Sequence, residues 1–396
     1  MSVGERGRDS RTRRMDRMVR RPASGRTLRV RWNHGGMTRL LARHWTTSVP
    51  LLAAVVLAIA WATHPSGSAV IVLVVALAGA VLSAVQHAEV VAHRVGEPFG
   101  SLVLAVAVTV IEVGLILTLM ASGGPDASSL ARDTVFAAVM ITCNGIFGLS
   151  LLVGALRRRV AVFNAEGTGA ALATVATLAT LSLVLPTFTT SRPGPEFSGS
   201  QLVFAAVASL LLYGLFVTVQ TVRHPDDFLP VEESELEHHH HAPPSIRTTS
   251  LSMALLMVAL VGVVGLAKMV SPAIENDVRA AGLPRSAVGV VIALLVLLPE
   301  TLAALRAARR DRVQISLNLA LGSAMASIGL TIPAIAVASI WLHGPLVLGL
   351  GATQMVLLAL TVVVGALTVV PGRATLLQGG VHLAVFSAFV FLAASP

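Results

Sequence analysis

Two glutamates of this 396-residue chain lie deep within apolar segments. Glu112 follows the run "SLVLAVAVTVI" and Glu300 follows "VVIALLVLLP", and of the 20 acidic residues only these two lie well inside predicted membrane spans. A charge at the bilayer centre costs about 2.5–3.5 kcal/mol on insertion scales, so each glutamate needs a reason to be there. Burial favours the neutral acid, and two close carboxylates reinforce that preference. We interpret the pair as a site that binds protons and a cation in turn; the alternative is a neutral acid hydrogen-bonded to another helix.

A hard cation needs more oxygen ligands than these two carboxylates supply. Ca²⁺ takes six to eight oxygens, and two carboxylates give at most four. Pro299, beside Glu300, has no N–H and leaves a carbonyl one turn earlier without its helical partner. Broken membrane helices are tolerated where the loose backbone lines a cavity. The Pro-Glu pair therefore predicts a helix break that places a carboxylate beside freed carbonyls.

Amide and hydroxyl side chains on neighbouring spans are further candidate ligands. Asn144 and Asn318 lie on the spans that follow the two glutamates. Ser316, Ser323 and Ser327 share one helix face, at steps of seven and four residues. Small residues on one face are also typical of close helix packing, so the serine stripe is compatible with ion ligation, with packing, or with both.

A second polar cluster, "QHAEVVAHRVGEPFG", precedes the first buried glutamate. Glu89 and His93 are four residues apart and share a helix face, with His87 less well aligned. The spacing is not HExxH, so a zinc hydrolase is poorly supported. We predict that His87, Glu89 and Glu97 form a proton path or gate; a solvated segment at the membrane surface is the alternative.

The composition is that of an all-α polytopic membrane protein. Hydrophobic residues make up 55% and charged residues 12% of the chain, and the mean hydropathy is +0.79, whereas a soluble protein carries about 25% charge. The single cysteine, Cys143, excludes an internal disulfide and a thiolate zinc cluster. We predict about eleven transmembrane helices. They are placed at 48–63, 68–88, 100–121, 134–156, 168–186, 201–222, 250–270, 285–305, 313–341, 346–370 and 375–394.

The arginine distribution predicts the orientation. Thirteen of the 29 basic residues are arginines in the first 43 positions, and residues 1–45 are expected to form a disordered cytoplasmic tail near anionic lipid, with nucleic-acid binding as the weaker alternative. Between the spans, eleven arginines fall on the side of the N-terminus and four on the other. Because positive loops stay inside, we predict a cytoplasmic N-terminus and an external C-terminus.

An acidic, His-rich segment, 223–249, divides the chain into transmembrane halves at 46–222 and 250–396. His238 to His241 are candidate metal ligands, although a solvated cytoplasmic linker is favoured.

The two halves repeat a pattern. Gly96-x-Pro98 precedes Glu112 by 14 residues from the proline, and Gly282-x-Pro284 precedes Glu300 by 16. This predicts two five-helix repeats after an extra N-terminal helix, and an odd number of helices inverts the second copy. Inverted repeats are a transporter architecture with the site where they meet.

Four stretches of the chain are similar to a known family. They are "HAEVVAHRVGEPFGSLVLAVAVTVIEV", "LLYGLFVTVQTVRH", "LLPETLAAL" and "SLNLALGSAMASIGLTIP". The sequence resembles the ChaA-type calcium/proton antiporters of the calcium/cation antiporter superfamily. The resemblance implies exchange of cytoplasmic cations for external protons, with Glu112 and Glu300 as ion-binding acids and Asn144, Asn318 and Ser323 nearby. Family members are associated with Ca²⁺, Na⁺ and K⁺.

The function predicted from these observations is secondary antiport in the cell membrane, exporting Ca²⁺, or else Na⁺ or K⁺, in exchange for H⁺. The expected partners are inorganic cations, protons and lipid, with neither a cofactor nor nucleic acid. A monovalent cation/proton antiporter is the main alternative. An intramembrane metal-dependent enzyme built on His87, Glu89 and His93, and a non-transporting scaffold, are less favoured. The chain lacks GxxxxGK[ST], so ATP-driven pumping is unsupported.

Overall fold

A computed structural model describes residues 35–63, 65, 67–96, 99–121, 127–231, 244–280, 282, 284, 286–341 and 344–395. Helices of the first half are α1 Gly35–Thr63, α2 Ala69–Val95, α3 Phe99–Ala121, α4 Leu130–Met140, α5 Phe147–Arg158, α6 Ala165–Ala179, α7 Leu185–Phe188 and α8 Gly199–Thr218. Those of the second half are α9 Ile246–Ala280, α10 Ser286–Val296, α11 Leu298–Arg309, α12 Val313–Ala338, α13 Ala352–Val369 and α14 Leu376–Ala394. Three π-helical segments, Ile141–Ile146, Thr180–Val184 and Val219–Arg223, continue α4, α6 and α8.

The small remainder of regular structure lies in the connections. Ala127–Ser129 and Pro225–Phe228 are short 3₁₀ turns. Two strands, β1 Ala161–Val162 and β2 Arg373–Ala374, pair antiparallel, with Ala161 opposite Ala374. They join the connection after α5 to the one before α14, and so tie the two halves of the chain together.

Helices long and apolar enough to cross a bilayer account for most of the chain. Nine occur among the described residues, together with the pair α10–α11, which is bent by 54°, and a shorter apolar stretch, Ala105–Thr118, in α3. Each of the eleven predicted spans coincides with one of these, and the exact number of crossings stays a prediction. α1 begins at Gly35, so helix extends into the predicted tail; residues 1–34, Glu97 and His238 to His241 lie outside the described residues.

The packing of the unit from His44 to Pro396 is reciprocal between the two halves. α2 packs on α9; α3 packs on α12, and correspondingly α10–α11 packs on α4–α5. α8 packs on α12, and correspondingly α14 packs on α5. Each of these contacts has a counterpart when the helices of the two repeats are paired in order, α2 with α9, α3 with α10–α11, α4–α5 with α12, α6 with α13 and α8 with α14. This is the pattern of inverted repeats about a pseudo-two-fold axis.

The centre of the unit is formed by the corresponding spans α4–α5 and α12. Buried residues make up 83% and 61% of their apolar windows, against 44% or less in the other full-length spans. The outer helices instead carry exposed apolar side chains, such as Leu211, Val75 and Leu367. Such a surface needs an apolar surrounding, which the lipid bilayer provides.

The extra helix α1 is fastened to α2 by a carbonyl that a proline sets free. Pro50 lies inside α1 and cannot donate to the carbonyl of Thr46, four residues earlier. That oxygen accepts instead from the Ser83 hydroxyl at 3.0 Å and from Nε2 of His87 at 2.8 Å. Because a carbonyl only accepts, Nε2 must carry the proton. The helix-breaking residue thus provides the attachment point between α1 and repeat 1.

Candidate cation site

A cavity of about 260 Å³ lies between α3, α8, α12 and the junction of α10 with α11. We call it the central cavity. Its lining includes both membrane-buried glutamates, Glu112 and Glu300, one from each repeat. The two acids that were separated by 188 positions in the sequence therefore share one space.

Glu112 lies on the uninterrupted helix α3 and is only 4% exposed. The hydroxyl of Ser327, on α12, donates to its Oε1 at 2.6 Å. This bond joins the glutamate helix of repeat 1 to the central helix of repeat 2. A hydroxyl also has acceptor lone pairs, so Ser327 can serve either the carboxylate or a cation held beside it.

Glu300 is positioned by the break that the sequence predicts, and the break is confirmed. α10 ends at Val296, Pro299 lies in the first turn of α11, and the axes differ by 54°. Pro299 cannot donate to the carbonyl of Leu295. The carbonyl of Leu297 accepts from the backbone N–H of Thr301 at 2.9 Å and from its hydroxyl at 2.7 Å, which holds the start of α11.

One carboxylate oxygen of Glu300 is able to accept a further hydrogen bond or to bind a cation. Oε2 is buried and has no hydrogen-bond partner among the described residues. Glu300 shares the central cavity with Glu112, so the two carboxylates would repel each other when both are ionised. Leaving a buried acceptor unsatisfied costs about 1–3 kcal/mol, so a proton or a cation bound at Glu300 would relieve both the bare oxygen and the repulsion.

Asn318 and Ser323 line the central cavity as well, but Asn318 is already engaged. Its Nδ2 donates to the carbonyl of Phe228 at 2.7 Å, and its Oδ1 accepts from Gln314 at 2.9 Å. The side chain thereby holds the turn Pro225–Phe228 at the edge of the cavity. In this arrangement Asn318 shapes the cavity rather than offering a free amide oxygen.

Of the three serines on one face of α12, one packs helices together and two face the cavity. The hydroxyl of Ser316 donates to the carbonyl of Ala304 at 2.7 Å and lies 2.6 Å from that of Ser150. Ser316 therefore packs α12 against α11 and α5. Ser323 and Ser327, two and three turns further on, face the central cavity.

Asn144 lies outside the lining of the central cavity. It belongs to the π-helical segment Ile141–Ile146, and its Nδ2 donates to Thr361 at 2.9 Å. Its Oδ1 accepts from Nδ1 of His382 at 3.2 Å, and Nε2 of His382 is 3.2 Å from the Thr368 hydroxyl. This buried network connects the centre of repeat 1 to α13 and α14, and Asn144 does not line the central cavity with the two glutamates.

Glu89 is an exposed residue near the end of α2. Its Oε2 accepts from Gln86 at 3.1 Å. The helix that carries it, α2, contacts α11, which carries Arg306 and Glu300. Glu89 is not among the residues that line the central cavity.

His87 is buried and occupied by its bond to Thr46. If it only anchors α1, His87→Gln should keep transport near the wild-type rate, because a glutamine amide can donate to the same carbonyl but cannot titrate. His87→Ala should lower stability by about 1 kcal/mol, seen as a lower melting temperature in detergent. A glutamine variant that folds normally and transports nothing would instead assign His87 to the proton path.

Two cavity residues on α8 and its π-helical continuation were not predicted. Tyr213, the only tyrosine of the chain, and Gln220 both line the central cavity. They are seven residues apart, two helical turns, and hence on one face of an otherwise apolar helix. This spacing of two polar residues in the sequence could have predicted a helix face that is turned away from lipid.

Two pseudo-symmetric helical halves that each contribute a carboxylate to one cavity define a membrane transporter built from inverted repeats. The chain belongs to the sodium/calcium exchanger protein family, whose profile matches residues 66–222 and 251–394. The family consists of secondary transporters, so the metal-dependent enzyme considered from the sequence is not the function. The chain is a multi-pass membrane protein that exchanges cations.

Two relatives match almost the whole chain. The putative ionic transporter y4hA of Sinorhizobium fredii (strain NBRC 101917 / NGR234) is 46% identical over 355 residues, which cover 89% of this chain and 96% of the relative. The sodium-potassium/proton antiporter ChaA of Escherichia coli (strain K12) is 35% identical over 356 residues, covering 88% and 96%.

Solved structures share the fold. Native YfkE matches with a TM-score of 0.68 at 16% identity, covering 89% of this chain and all of that one. The H⁺/Ca²⁺ exchanger CAX matches with a TM-score of 0.64 at 17% identity, covering 91% and 93%. At these identities the likeness establishes the arrangement of helices, and the ion has to be argued from the site.

Proposed function

We propose that this protein exports Ca²⁺ from the cytoplasm in exchange for protons, with Glu112 and Glu300 binding both in turn. The observation that carries the proposal is the shared cavity. It brings together one carboxylate from each repeat, and Oε2 of Glu300 has no partner among the described residues. Membrane carboxylates that face a cavity are the groups with which transporters hold ions and protons.

Charge balance couples the two substrates. Two ionised carboxylates carry a charge of −2, which is cancelled by one Ca²⁺ or by two protons but cannot accommodate both. The bare pair is costly to desolvate, whereas either loaded form is neutral. Conformational change is therefore easier when the site is loaded, and one substrate must leave before the other binds.

The oxygen ligands around the pair suit a divalent ion. Four carboxylate oxygens, the hydroxyls of Ser323 and Ser327, and the backbone at the Pro299 break together approach the six to eight oxygens that Ca²⁺ requires. A second candidate is exchange of Na⁺ or K⁺ for protons, which the name of the Escherichia coli relative supports.

Glu89 is proposed as the step between the cytoplasm and Glu300. It is exposed, and its helix α2 contacts α11, which carries Glu300, so it can take up a proton or attract a cation before the buried site does. The proposed orientation places the N-terminus and this end of α2 in the cytoplasm of a cell whose plasma membrane contains the protein.

Flux into proteoliposomes tests the substrate. Purified protein is reconstituted with an imposed pH gradient, and uptake of Ca²⁺, Na⁺ and K⁺ is compared with that into protein-free liposomes. We expect gradient-driven Ca²⁺ uptake that collapses with a protonophore. Uptake of Na⁺ or K⁺ without Ca²⁺ would select the monovalent exchanger, and no gradient-driven uptake of any of the three would refute cation/proton exchange.

A further inference from the structure

A second pocket, of about 290 Å³, lies between α4, α10, α13 and α14. We call it the outer pocket. Arg132, Asp133 and Gln354 form its polar wall, and Phe136, Val290 and Phe389 its apolar floor. The N-terminal ends of α4, α10 and α13 and the C-terminal end of α14 surround it, and the arginine distribution predicts all four of these ends to be extracellular.

Three helices that wall the outer pocket are the symmetry counterparts of three that wall the central cavity. The pseudo-two-fold axis relates α3 to α10–α11, α8 to α14 and α12 to α4–α5. The three helices α3, α8 and α12 that wall the central cavity thus become α10, α14 and α4, which wall the outer pocket. A phenylalanine of the corresponding helix lines each space, Phe216 of α8 in the central cavity and Phe389 of α14 in the outer pocket.

An apolar floor separates the outer pocket from the glutamates. Phe136 and Phe389 meet edge to face with their ring centres 5.6 Å apart. Val290 and Ala293 of α10, 8% and 2% exposed, belong to the same hydrophobic cluster, which continues to Leu297 at the edge of the central cavity. From Val290 to Leu297 the helix rises only about 10 Å, so two turns of packed side chains divide the two spaces.

The polar wall ties the outer end of α4 to its surroundings. Arg132 pairs with Asp133 at 2.8 Å and donates to the carbonyl of Gly349 at 3.3 Å. Asp133, 6% exposed, also accepts from Ser129 at 3.1 Å and from Gln354 at 3.4 Å. These bonds hold α4, α13 and the connection between α12 and α13 together around the pocket.

We propose that the outer pocket is the extracellular access route of the exchanger, closed here by the floor of Phe136, Phe389 and Val290. Opening requires α10 and α14 to part from α4, after which Glu300 faces the outside along α10. The proposal rests on the proposed exchange of cations for protons but is independent of which cation is carried. It assigns the gate to apolar side chains, so the barrier is exclusion of water rather than a charge.

Thiol labelling from each side of the membrane tests the route. In a Cys143→Ala background, which removes the only cysteine, Val290→Cys should react with an impermeant cationic reagent from the outside only. Val108→Cys, in the central cavity, should react from the cytoplasmic side only. Reaction of Val290→Cys from the cytoplasmic side would overturn the proposal whether or not any ion is transported, whereas failed ion flux bears only on the proposed function.

The floor is tested by removing it. Ala293→Cys, beneath the floor, should react slowly from outside, and adding Phe389→Ala should raise the rate about tenfold or more, because the ring leaves a space when it is truncated. Phe391→Ala, on the same helix but 67% exposed, is the matched control and should change nothing. Phe389→Leu serves where the alanine variant does not fold. An unchanged rate in a folded Phe389 variant would refute the gate.

Discussion

Glu112→Gln and Glu300→Gln should each reduce proton-coupled cation flux to the level of empty liposomes. Glutamine keeps the size of the side chain and its hydrogen bonding, including acceptance from Ser327, but it neither carries charge nor titrates. The remaining carboxylate cannot neutralise a divalent ion or exchange two protons. Folding should be little affected, because a neutral side chain is cheaper to bury than a charge. The measurement is gradient-driven Ca²⁺ uptake in inverted vesicles, normalised to protein in the membrane.

Glu196→Gln is the matched control for these variants. Glu196 lies outside the described helices, next to Arg192 at 4.0 Å, and its substitution should leave uptake near the wild-type rate. Near-normal uptake by both cavity variants would contradict the mechanism with two carboxylates. It would leave family membership untouched, because that depends on the match along most of the chain.

The site residues that can be predicted from the sequence are those whose free-energy cost in a membrane helix follows from the residue type alone. Glu112 and Glu300 stand out because a lone carboxylate in an apolar run is expensive. Pro299 stands out because its missing N–H removes one hydrogen bond from any helix that contains it. The paired motifs around the two glutamates likewise predict the repeats, and the reciprocal packing of α3 on α12 and α10–α11 on α4–α5 agrees with them.

The parts that sequence does not predict depend on helix rotation and on long-range partners. Asn144 was expected beside the glutamates, but it lies in the π-helical segment Ile141–Ile146. A π-helical turn contains an extra residue and so rotates every later side chain relative to a regular helix. In this structure it directs Asn144 to Thr361 and His382, more than 200 positions away in sequence. His87 was expected on a proton path, and its partner is a carbonyl freed by Pro50 in another helix.

The two repeats hold their glutamates differently, although their packing is reciprocal. Glu112 lies on an unbroken helix and is bonded to Ser327, whereas Glu300 follows a 54° bend and its Oε2 has no hydrogen-bond partner in the part of the chain that the structure describes. A bent helix whose backbone bonds are already interrupted can change its angle at low cost, while an unbroken one resists bending. The structure therefore places the adjustable carboxylate on repeat 2 and the fixed one on repeat 1.

Pro299→Ala should consequently abolish exchange while leaving the protein as stable as the wild type or more so. Alanine restores the N–H that can pair with the carbonyl of Leu295, and proline inside a helix costs about 3 kcal/mol relative to alanine. A straighter α10–α11 would rotate Glu300 away from Glu112 and remove freed carbonyls from the cavity. Flux in proteoliposomes and melting temperature in detergent, measured on the same preparation, give the two readouts.

Pro272→Ala is the matched control, because Pro272 also lies inside a helix, α9, but does not line the central cavity. It should gain stability in the same direction and retain flux. Loss of flux in both proline variants would mean that helix flexibility in general limits transport. Full flux in Pro299→Ala would show that Glu300 reaches Glu112 without the helix break. The bend between α10 and α11 would then be a consequence of packing and not a requirement of the exchange.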